Sequence, residues 1–241
     1  MKTSVALIVP AFNESELVAP FIEGLVLHGL HEYFTEIIFV DDGSQDTTLT
    51  QLESLKSASL NFHIVRHQAN RGLGAAIRSG VIAASATEVC WVPIDQSFEI
   101  KDVVREASRE DRSDVVLFKR VLRNEIERGV VSFFAHYTFR LIFGCDVRHQ
   151  SGIFIMRRSL FLENMPITQR AIANLEFIVR LHRATNSIEH VNIVCHPRLA
   201  GTSKTFSGRS VLRSLRELIG LVLVDPRLVR RRTPKMLRSR T

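Results

Sequence analysis

The feature that most constrains the fold of this chain is a regular alternation in its first half. Short apolar runs rich in β-branched residues occur at 4–10, 36–44, 61–67, 88–95 and 114–120. Amphipathic runs with helical periodicity separate them, at 15–30, 46–57, 72–86 and 100–109. Such alternation is typical of strands joined by crossover helices. The pattern predicts an α/β protein with a mostly parallel central sheet flanked by helices.

Length and composition limit the class of protein. At 241 residues the chain can form one large α/β domain, or a domain with an appendage. The three cysteines, Cys90, Cys145 and Cys195, are too widely spaced for a disulfide framework or a Cys-x-x-Cys metal site, which favours a reducing, cytoplasmic setting. No uncharged apolar run approaches the ~20 residues that span a bilayer, and the N-terminal run is too short for a secretory signal.

The net charge of +7 is unevenly distributed. Residues 198–241 carry 12 Lys or Arg against two acids, a local balance of +10, so the first 197 residues carry −3. A basic C-terminal segment on a nearly neutral body suggests an anionic partner, either a membrane or a nucleic acid. A disordered, solvated tail is the alternative.

Polar residues follow the predicted strands at the point where each strand ends. The first strand ends in VPAFNE, which presents Pro10, Phe12, Asn13 and Glu14. Parallel strands collect their ligands at their carboxyl edge, so these residues are candidates for binding. The structural alternative is a turn in which Asn13 or Ser15 caps the following helix.

Three further strand ends show the same property. The second strand ends in VDDGSQDTT, which presents Asp41, Asp42 and Ser44, where a carboxylate can accept N–H donors from a base or hydroxyls from a ribose. The third is followed by NRGLGAAIRSG, in which glycines permit close backbone approach and Arg71 offers a charge for a phosphate. The fourth ends in VPIDQSF and places Asp95 at the same edge.

This succession of motifs resembles the family 2 glycosyltransferases of the GT-A fold, and within them the polyprenyl-phosphate sugar transferases. The resemblance runs from about residue 4 to residue 206. It implies inverting transfer of a sugar from a nucleotide-diphosphate donor. It also implies that the donor is bound at the strand ends, by Pro10, Phe12, Asn13, Glu14, Asp41, Asp42, Ser44, Arg71 and Asp95.

The metal motif departs from the family pattern. The family usually ends its fourth strand with Asp-x-Asp, which holds Mg²⁺ or Mn²⁺ against the diphosphate, whereas this chain has Pro93, Ile94 and Asp95. A hard divalent cation needs several oxygen ligands, and here Asp95 is the one strong ligand and the implied catalytic residue. Because Mg²⁺ commonly keeps waters and substrate oxygens, weak metal binding is expected. The alternative is a homologue that binds nucleotide sugars with impaired catalysis.

The second half of the chain resembles the acceptor side of the same family. Two carboxylates, Asp146 and Glu176, are candidate bases, although Glu176 could merely pair with Arg180 at i,i+4. The RLAGTSK loop combines a guanidinium, hydroxyls and an ammonium in seven residues, which suits a phosphate. The implied ligands of an acceptor phosphate are Arg120, Arg128, Ser132, Arg198, Ser203 and Lys204.

Two segments are candidates for membrane contact. The apolar stretch 130–143 is either an interfacial helix or part of the core. Residues 209–224 form a basic amphipathic run with an apolar stripe of Val211, Leu215, Leu218 and Val222, and a polybasic segment follows. The expected organisation is a GT-A domain over 1–207 and a basic helix and tail over 208–241.

Together these patterns predict an inverting transferase that moves a sugar from a nucleotide-diphosphate donor to a lipid phosphate. It would lie on the cytoplasmic face of a membrane with anionic lipids, and a membrane protein could supply spanning helices. Transfer to a sugar or other hydroxyl is the alternative. Nucleic-acid binding is not expected, because nothing but net charge supports it.

Overall fold

The computed structural model describes residues 4–56, 60–95, 99–122, 130–145, 150–170, 172–185, 187–195 and 208–229; within these ranges it leaves the side chains at 122, 130–136, 150, 195 and 208–215 undescribed.

The described strands form a single mixed sheet. They are β1 (Val5–Ala11), β2 (Glu36–Asp41), β3 (His63–Arg66), β4 (Glu88–Trp91), β5 (Val115–Leu122), β6 (Gln150–Arg157) and β7 (Ile188–Cys195). Their order is β3-β2-β1-β4-β6-β5-β7. Only β6 among these strands runs against the others, since it pairs antiparallel with β4 and β5 while the remaining pairs are parallel. The predicted α/β class with a mostly parallel sheet is confirmed.

Helices follow most of the strands, as the alternation predicts. They are α1 (Ser15–Leu27), α2 (Thr48–Leu55), α3 (Leu73–Ala83), α4 (Ile100–Ala107), α5 (Val130–Phe143), α6 (Arg158–Glu163), α7 (Ala173–Ala184) and α8 (Gly208–Val224), with short 3₁₀ segments at Leu30–Tyr33 and Pro226–Leu228. Of the described helices, none has the length and apolarity to cross a membrane.

The core is built from apolar strand faces and the helices that cover them. Gly80 of α3 allows this helix to approach the sheet closely, because a Cβ at this position would lie 2.4 Å from Ile8 Cγ2 and 3.1 Å from Val40 Cγ2. On the other half of the sheet, Phe154 of β6 packs against Phe177 of α7, with ring centroids 5.1 Å apart. These contacts fix the helices on the sheet and so fix the positions of the loops that join them.

One edge of the sheet gathers the carboxyl ends of six strands and the beginning of β6. The ends of β1, β2 and β4 are adjacent there, because β1 lies between the other two. Ser151 and Gly152 reach the same edge from the opposite direction, since β6 is antiparallel to β4. The candidate residues on these strand ends are therefore brought to one side of the molecule.

The C-terminal helix is attached to the body rather than extended from it. Leu218 and Leu221 of α8 are buried in the core cluster. Arg183 of α7 donates to the backbone oxygen of Leu228 at 2.7 Å, and Arg180 Nη2 lies 3.0 Å from Asp225 Oδ2. The predicted stripe on α8 thus faces the protein at Leu218, and the apolar side chains that α8 exposes are different ones.

Candidate functional site: the carboxyl edge of the sheet

The loop after β1 is joined directly to the loop after β2. Asn13 has a positive φ of 54°, a conformation that Asn tolerates better than most residues. Its backbone N–H donates to Ser44 Oγ at 3.0 Å, and its side-chain Oδ1 accepts from the N–H of Gln45 at 2.8 Å. The N–H of Glu14 donates to Thr48 Oγ1 at 2.8 Å. The polar groups of VPAFNE and VDDGS therefore form one interlocked pair of loops.

Asp46 strengthens this junction. Its carboxylate accepts hydrogen bonds from the hydroxyl and N–H of Thr48, at 2.6 and 3.0 Å, and from the N–H of Ser15 at 3.3 Å. Partial burial opposes ionisation of Asp46, but the hydrogen bonds from Thr48 and Ser15 outweigh it and lower the pKa. The carboxylate is thus held ionised at the start of α1 and α2.

The two aspartates at the end of β2 are both buried, and their surroundings differ. Asp41 Oδ1 accepts from the N–H of Ser44 at 3.1 Å, whereas Oδ2 is buried and has no hydrogen-bond partner among the described residues. Both oxygens of Asp42 are engaged: Oδ1 lies 2.6 Å from His67 Nδ1 and accepts from the N–H of Arg71, and Oδ2 accepts from the N–H of Gly72. Asp42 therefore organises the neighbouring loop, and a direct contact with a nucleotide stays a prediction for both aspartates.

The turn after β3 is packed tightly against other loops. Arg71 is exposed at its tip, and Gly72 has a φ of 97°. A Cβ on Gly72 would lie 2.7 Å from Cγ of Arg170, whose guanidinium donates to Asn70 Oδ1 at 3.1 Å. Only glycine fits at this position, for both its backbone angle and its space. Arg71 is thus presented on a constrained turn.

Asp95 lies three residues beyond the hydrogen-bonded part of the β4 edge. The N–H of Val92 still bonds to the oxygen of Ile8 at 3.0 Å, and Val92 and Ile94 are buried. Pro93 and Asp95 are half-buried in the turn that follows β4. An Asp-x-Asp motif would put two carboxylates there, and this chain has one.

The metal-ligand set is correspondingly small. Among the described residues, which exclude 96–98, His, Cys, Asp and Glu side chains do not form a group of three or more that could hold a metal ion. A site built on Asp95 thus fits a divalent cation only if the donor's phosphate oxygens complete the coordination.

The other predicted donor residues lie in or beside β1. Pro10 is buried within the strand and pairs with Val40, while Phe12 is half-buried in the loop that follows. Because Pro10 has no N–H, it fits where a strand leaves a ladder. Their contact with a nucleotide stays a prediction.

Arg120 occupies the same edge on β5. Its Nη2 lies 3.5 Å from the backbone oxygen of Ser151, and the hydroxyl of Ser151 donates to the oxygen of Phe118 at 2.6 Å. Gly152 has a φ of 80° and accepts from Trp91 Nε1. These contacts hold the Arg120 guanidinium beside the beginning of β6, the strand that lies between β5 and β4. Of the other predicted acceptor ligands, Ser132 lies in α5 with its side chain undescribed, and Arg128, Arg198, Ser203 and Lys204 lie outside the described residues.

Glu176 is the candidate base that the structure describes, since Asp146 lies outside the described residues. Its side chain is fully buried. It accepts from the N–H groups of Ile167 and Thr168, from the Thr168 hydroxyl, and from Arg180 Nε at 2.7 Å. The structural alternative of an i,i+4 pair with Arg180 is confirmed. A carboxylate saturated in this way is not available to take a proton from an acceptor.

Sequence reasoning missed two residues of this edge. His67 directly follows β3 and bonds to Asp42, so the same strand-end rule that selects Asn13 could have selected it. Arg170 comes from the loop before α7 and is separated from Asn70 by 100 residues, so no local pattern points to it.

A model of the glycosyl transferase family 2 matches residues 6–163, which include the β1, β2, β3 and β4 loops. The chain belongs to this family. Its fold is also that of glucosyl-3-phosphoglycerate synthase from Mycobacterium tuberculosis, solved with Mn²⁺ and UDP-glucose, at a TM-score of 0.67, 17% identity, and coverage of 92% of this chain and 78% of that one.

Two curated relatives are polyprenyl-phosphate enzymes by name. A dodecaprenyl-phosphate galacturonate synthase from Rhizobium johnstonii is 29% identical over 61% of this chain and 45% of its own length. A dolichyl-phosphate β-glucosyltransferase from Dictyostelium discoideum is 30% identical over 42% of this chain and 33% of its own length. The alignments with these two relatives thus span less than half of their length.

Proposed function

We propose that this family 2 glycosyltransferase moves a sugar, with inversion, from a nucleoside-diphosphate donor to a polyprenyl phosphate at a membrane surface. The observation that carries the proposal is the burial and saturation of Glu176. A hydroxyl acceptor needs a positioned base to remove its proton during attack. A phosphate monoester already carries about −1.5 to −2 charges at neutral pH, so it needs cations rather than a base.

The predicted acceptor side of this chain is rich in basic side chains. Arg120 lies beside the beginning of β6 at the carboxyl edge, and Arg128, Arg198 and Lys204 follow in the sequence, with Ser132 and Ser203 as hydroxyl donors. The names of the two curated relatives point to the same class of acceptor.

The acceptor proposal is tested by replacing Arg198. Charge-assisted contacts contribute about 1.5–3 kcal/mol each. Arg198→Ala is therefore expected to lower kcat/KM for the lipid phosphate about 10- to 100-fold, with donor affinity unchanged. Arg157→Ala is the matched control, because Arg157 pairs with Asp114 at the opposite edge of the sheet. An unchanged kcat/KM in Arg198→Ala would remove this residue from the acceptor site.

The donor would lie across the ends of β1, β2 and β4. Asn13, Glu14 and Ser44 belong to loops that are already joined by hydrogen bonds, so ordering these loops would cost little of the binding free energy. Asp95 would hold Mg²⁺ or Mn²⁺ together with the donor's diphosphate. When bound, such a cation neutralises charge on the departing nucleoside diphosphate.

A thermal-shift screen of nucleotide sugars, with and without Mn²⁺, tests the donor and the metal together. One donor is expected to stabilise the protein more with Mn²⁺ than without it, and Asp95→Ala is expected to abolish the Mn²⁺-dependent part of that stabilisation. Asp114→Ala is the control for loss of a carboxylate elsewhere. Mn²⁺-independent binding that Asp95→Ala leaves unchanged would refute metal binding at Asp95, and donor binding without transfer would favour the catalytically impaired alternative.

Membrane contact would come from α5, α8 and the basic tail on the cytoplasmic face, with a partner protein supplying any spanning helices. Helix α8 exposes Ile219, Leu223 and Val224, and Leu223 is 75% exposed. Helix α5 buries Phe139 and Phe143 but exposes Tyr137 and Leu141. Apolar side chains on the free face of a docked helix, with basic residues nearby, suit an anionic bilayer surface.

Vesicle sedimentation tests this contact without removing α8, which the body needs for its core. Deleting 230–241, which contains six Lys or Arg, is expected to weaken binding to anionic vesicles, because each basic residue near the surface contributes about 1 kcal/mol. Salt should weaken it further. Equal binding of the full and shortened chains would exclude the tail as the anchor.

A further inference from the structure

His67 bridges two elements from a buried position at the end of β3. Its Nδ1 lies 2.6 Å from Asp42 Oδ1, and its Nε2 lies 2.9 Å from Oγ of Ser79 in α3. Its backbone N–H donates to the oxygen of Asp41 at 2.9 Å. Both ring nitrogens of His67 and its backbone N–H thus have hydrogen-bond partners.

The chemistry of these contacts defines the roles of the two ring nitrogens. Carboxylate oxygens accept hydrogen bonds, so the geometry fits a His67 Nδ1–H that donates to Asp42 Oδ1. At Nε2 the Ser79 hydroxyl fits either form of the ring, because a hydroxyl can donate to a neutral ring or accept from a protonated one. The chain Ser79–His67–Asp42 is complete without a further group.

Asp42 also accepts hydrogen bonds from the turn that presents Arg71. The N–H of Arg71 donates to Asp42 Oδ1 at 2.9 Å, and the N–H of Gly72 donates to Oδ2 at 2.7 Å. Both amides therefore point inward, and the Arg71 side chain stays outside and exposed. The Asp42 carboxylate thus contacts both His67 and the turn that presents Arg71.

The Asp–His–Ser order also occurs in serine hydrolases, but the position of Ser79 argues against that chemistry here. Ser79 lies in the interior of α3, where backbone N–H groups bond to helical carbonyls. They are thus not free to stabilise an oxyanion beside the Ser79 hydroxyl. The three residues act as a support.

We propose that His67 is a positioning residue for donor binding, which acts through Asp42 to hold the Arg71 turn against the donor diphosphate. The inference rests on the proposed function for the identity of the ligand. A turn that adopts the competent arrangement a tenth of the time binds about 10-fold more weakly, because apparent affinity scales with the competent fraction.

The test combines a ligand-free measurement with a binding measurement on the full chain. His67→Phe removes both ring hydrogen bonds and keeps a planar ring, whereas His67→Asn places an amide nitrogen near the position of Nδ1. His63→Asn is the matched control, since His63 is exposed on β3, the strand that His67 follows. Amide hydrogen exchange is followed by NMR, and calorimetry uses UDP-glucose and GDP-mannose, each with Mn²⁺.

In His67→Phe, the amides of Arg71 and Gly72 are expected to lose protection while those in the middle of α3 keep it. Donor Kd should rise about 10-fold with an unchanged acceptor KM, and His67→Asn should recover most of the affinity. Unchanged protection, or lost protection with unchanged donor Kd, would overturn the positioning role. If the wild-type chain binds neither nucleotide sugar, the donor role of His67 fails with the proposed donor class, while the exchange data still decide whether His67 holds the turn.

Discussion

Glu176→Gln tests the assignment of Glu176 as a structural residue and not a base. The substitution keeps the size of the side chain but removes its charge and turns one acceptor into a donor. The altered group then faces the N–H of Ile167, the N–H and hydroxyl of Thr168, and Arg180 Nε. The 166–170 loop, whose Gln169 oxygen accepts from the N–H of Ala75, loses its main anchor.

The expected cost follows from the burial of this ion pair. Breaking a buried pair by removing one partner costs about 3–5 kcal/mol. Arg180 keeps Asp225 at 3.0 Å, so the lower end, about 3 kcal/mol, applies. For a protein of this size each kcal/mol lowers Tm by about 2–4 °C, which gives a decrease of about 6–12 °C.

Urea and thermal denaturation measure the change, and exposed Glu163→Gln is the control, with an expected effect within about 0.5 kcal/mol. Below the melting range, kcat/KM of Glu176→Gln for the lipid phosphate should stay within about 3-fold of wild type. Unchanged stability together with a rate loss of about 100-fold or more would identify Glu176 as a base and refute the reasoning.

Two further predictions concern stability. Burial, with the charges of Lys119 and His182, lowers the pKa of His190 to about 4, so between pH 6.5 and 4 the unfolded chain binds a proton that the folded chain does not. The free energy of unfolding should therefore fall as pH falls through this window. Urea denaturation at a series of pH values should show a weaker pH dependence of this free energy for His190→Gln than for wild type, and an equal pH dependence would contradict the assignment. Gly152→Ala should lower stability by about 1–3 kcal/mol, because φ is 80° and a Cβ would lie 2.7 Å from Asn174 Nδ2. The control is Gly220→Ala in α8, where a Cβ meets nothing within 4 Å. Equal calorimetric Tm values for the two variants would refute this prediction.

The sheet was predictable where local pattern determines structure. Apolar runs and helical runs alternate through β5, and each predicted strand of the first half exists. The reversed direction of β6 was not predictable in this way, because pairing with β4 and β5 sets it and no local signal encodes a partner.

In the candidate site, too, the sequence predicted what local pattern determines and did not predict what tertiary contacts determine. The strand-end rule located the loops of Asn13, Asp42 and Asp95, because parallel strands share an edge whatever their sequence. It could not assign Asp42 to a support role, since its partner His67 is 25 residues away and the contact exists only in the folded chain. The helical period of α8 was recognised, but Leu218 faces the protein, which only tertiary packing decides.

The nature of the acceptor is the central claim, and a paired-acceptor assay tests it most directly. Initial rates of transfer from the selected nucleotide sugar are measured in anionic vesicles that contain either a polyprenyl phosphate or the corresponding polyprenol. We expect transfer to the phosphate, a product with inverted anomeric configuration, and little transfer to the alcohol. The claim would be contradicted by equal or faster transfer to the alcohol or to a free sugar, if Asp146→Asn abolishes that transfer and Arg198→Ala leaves it unchanged.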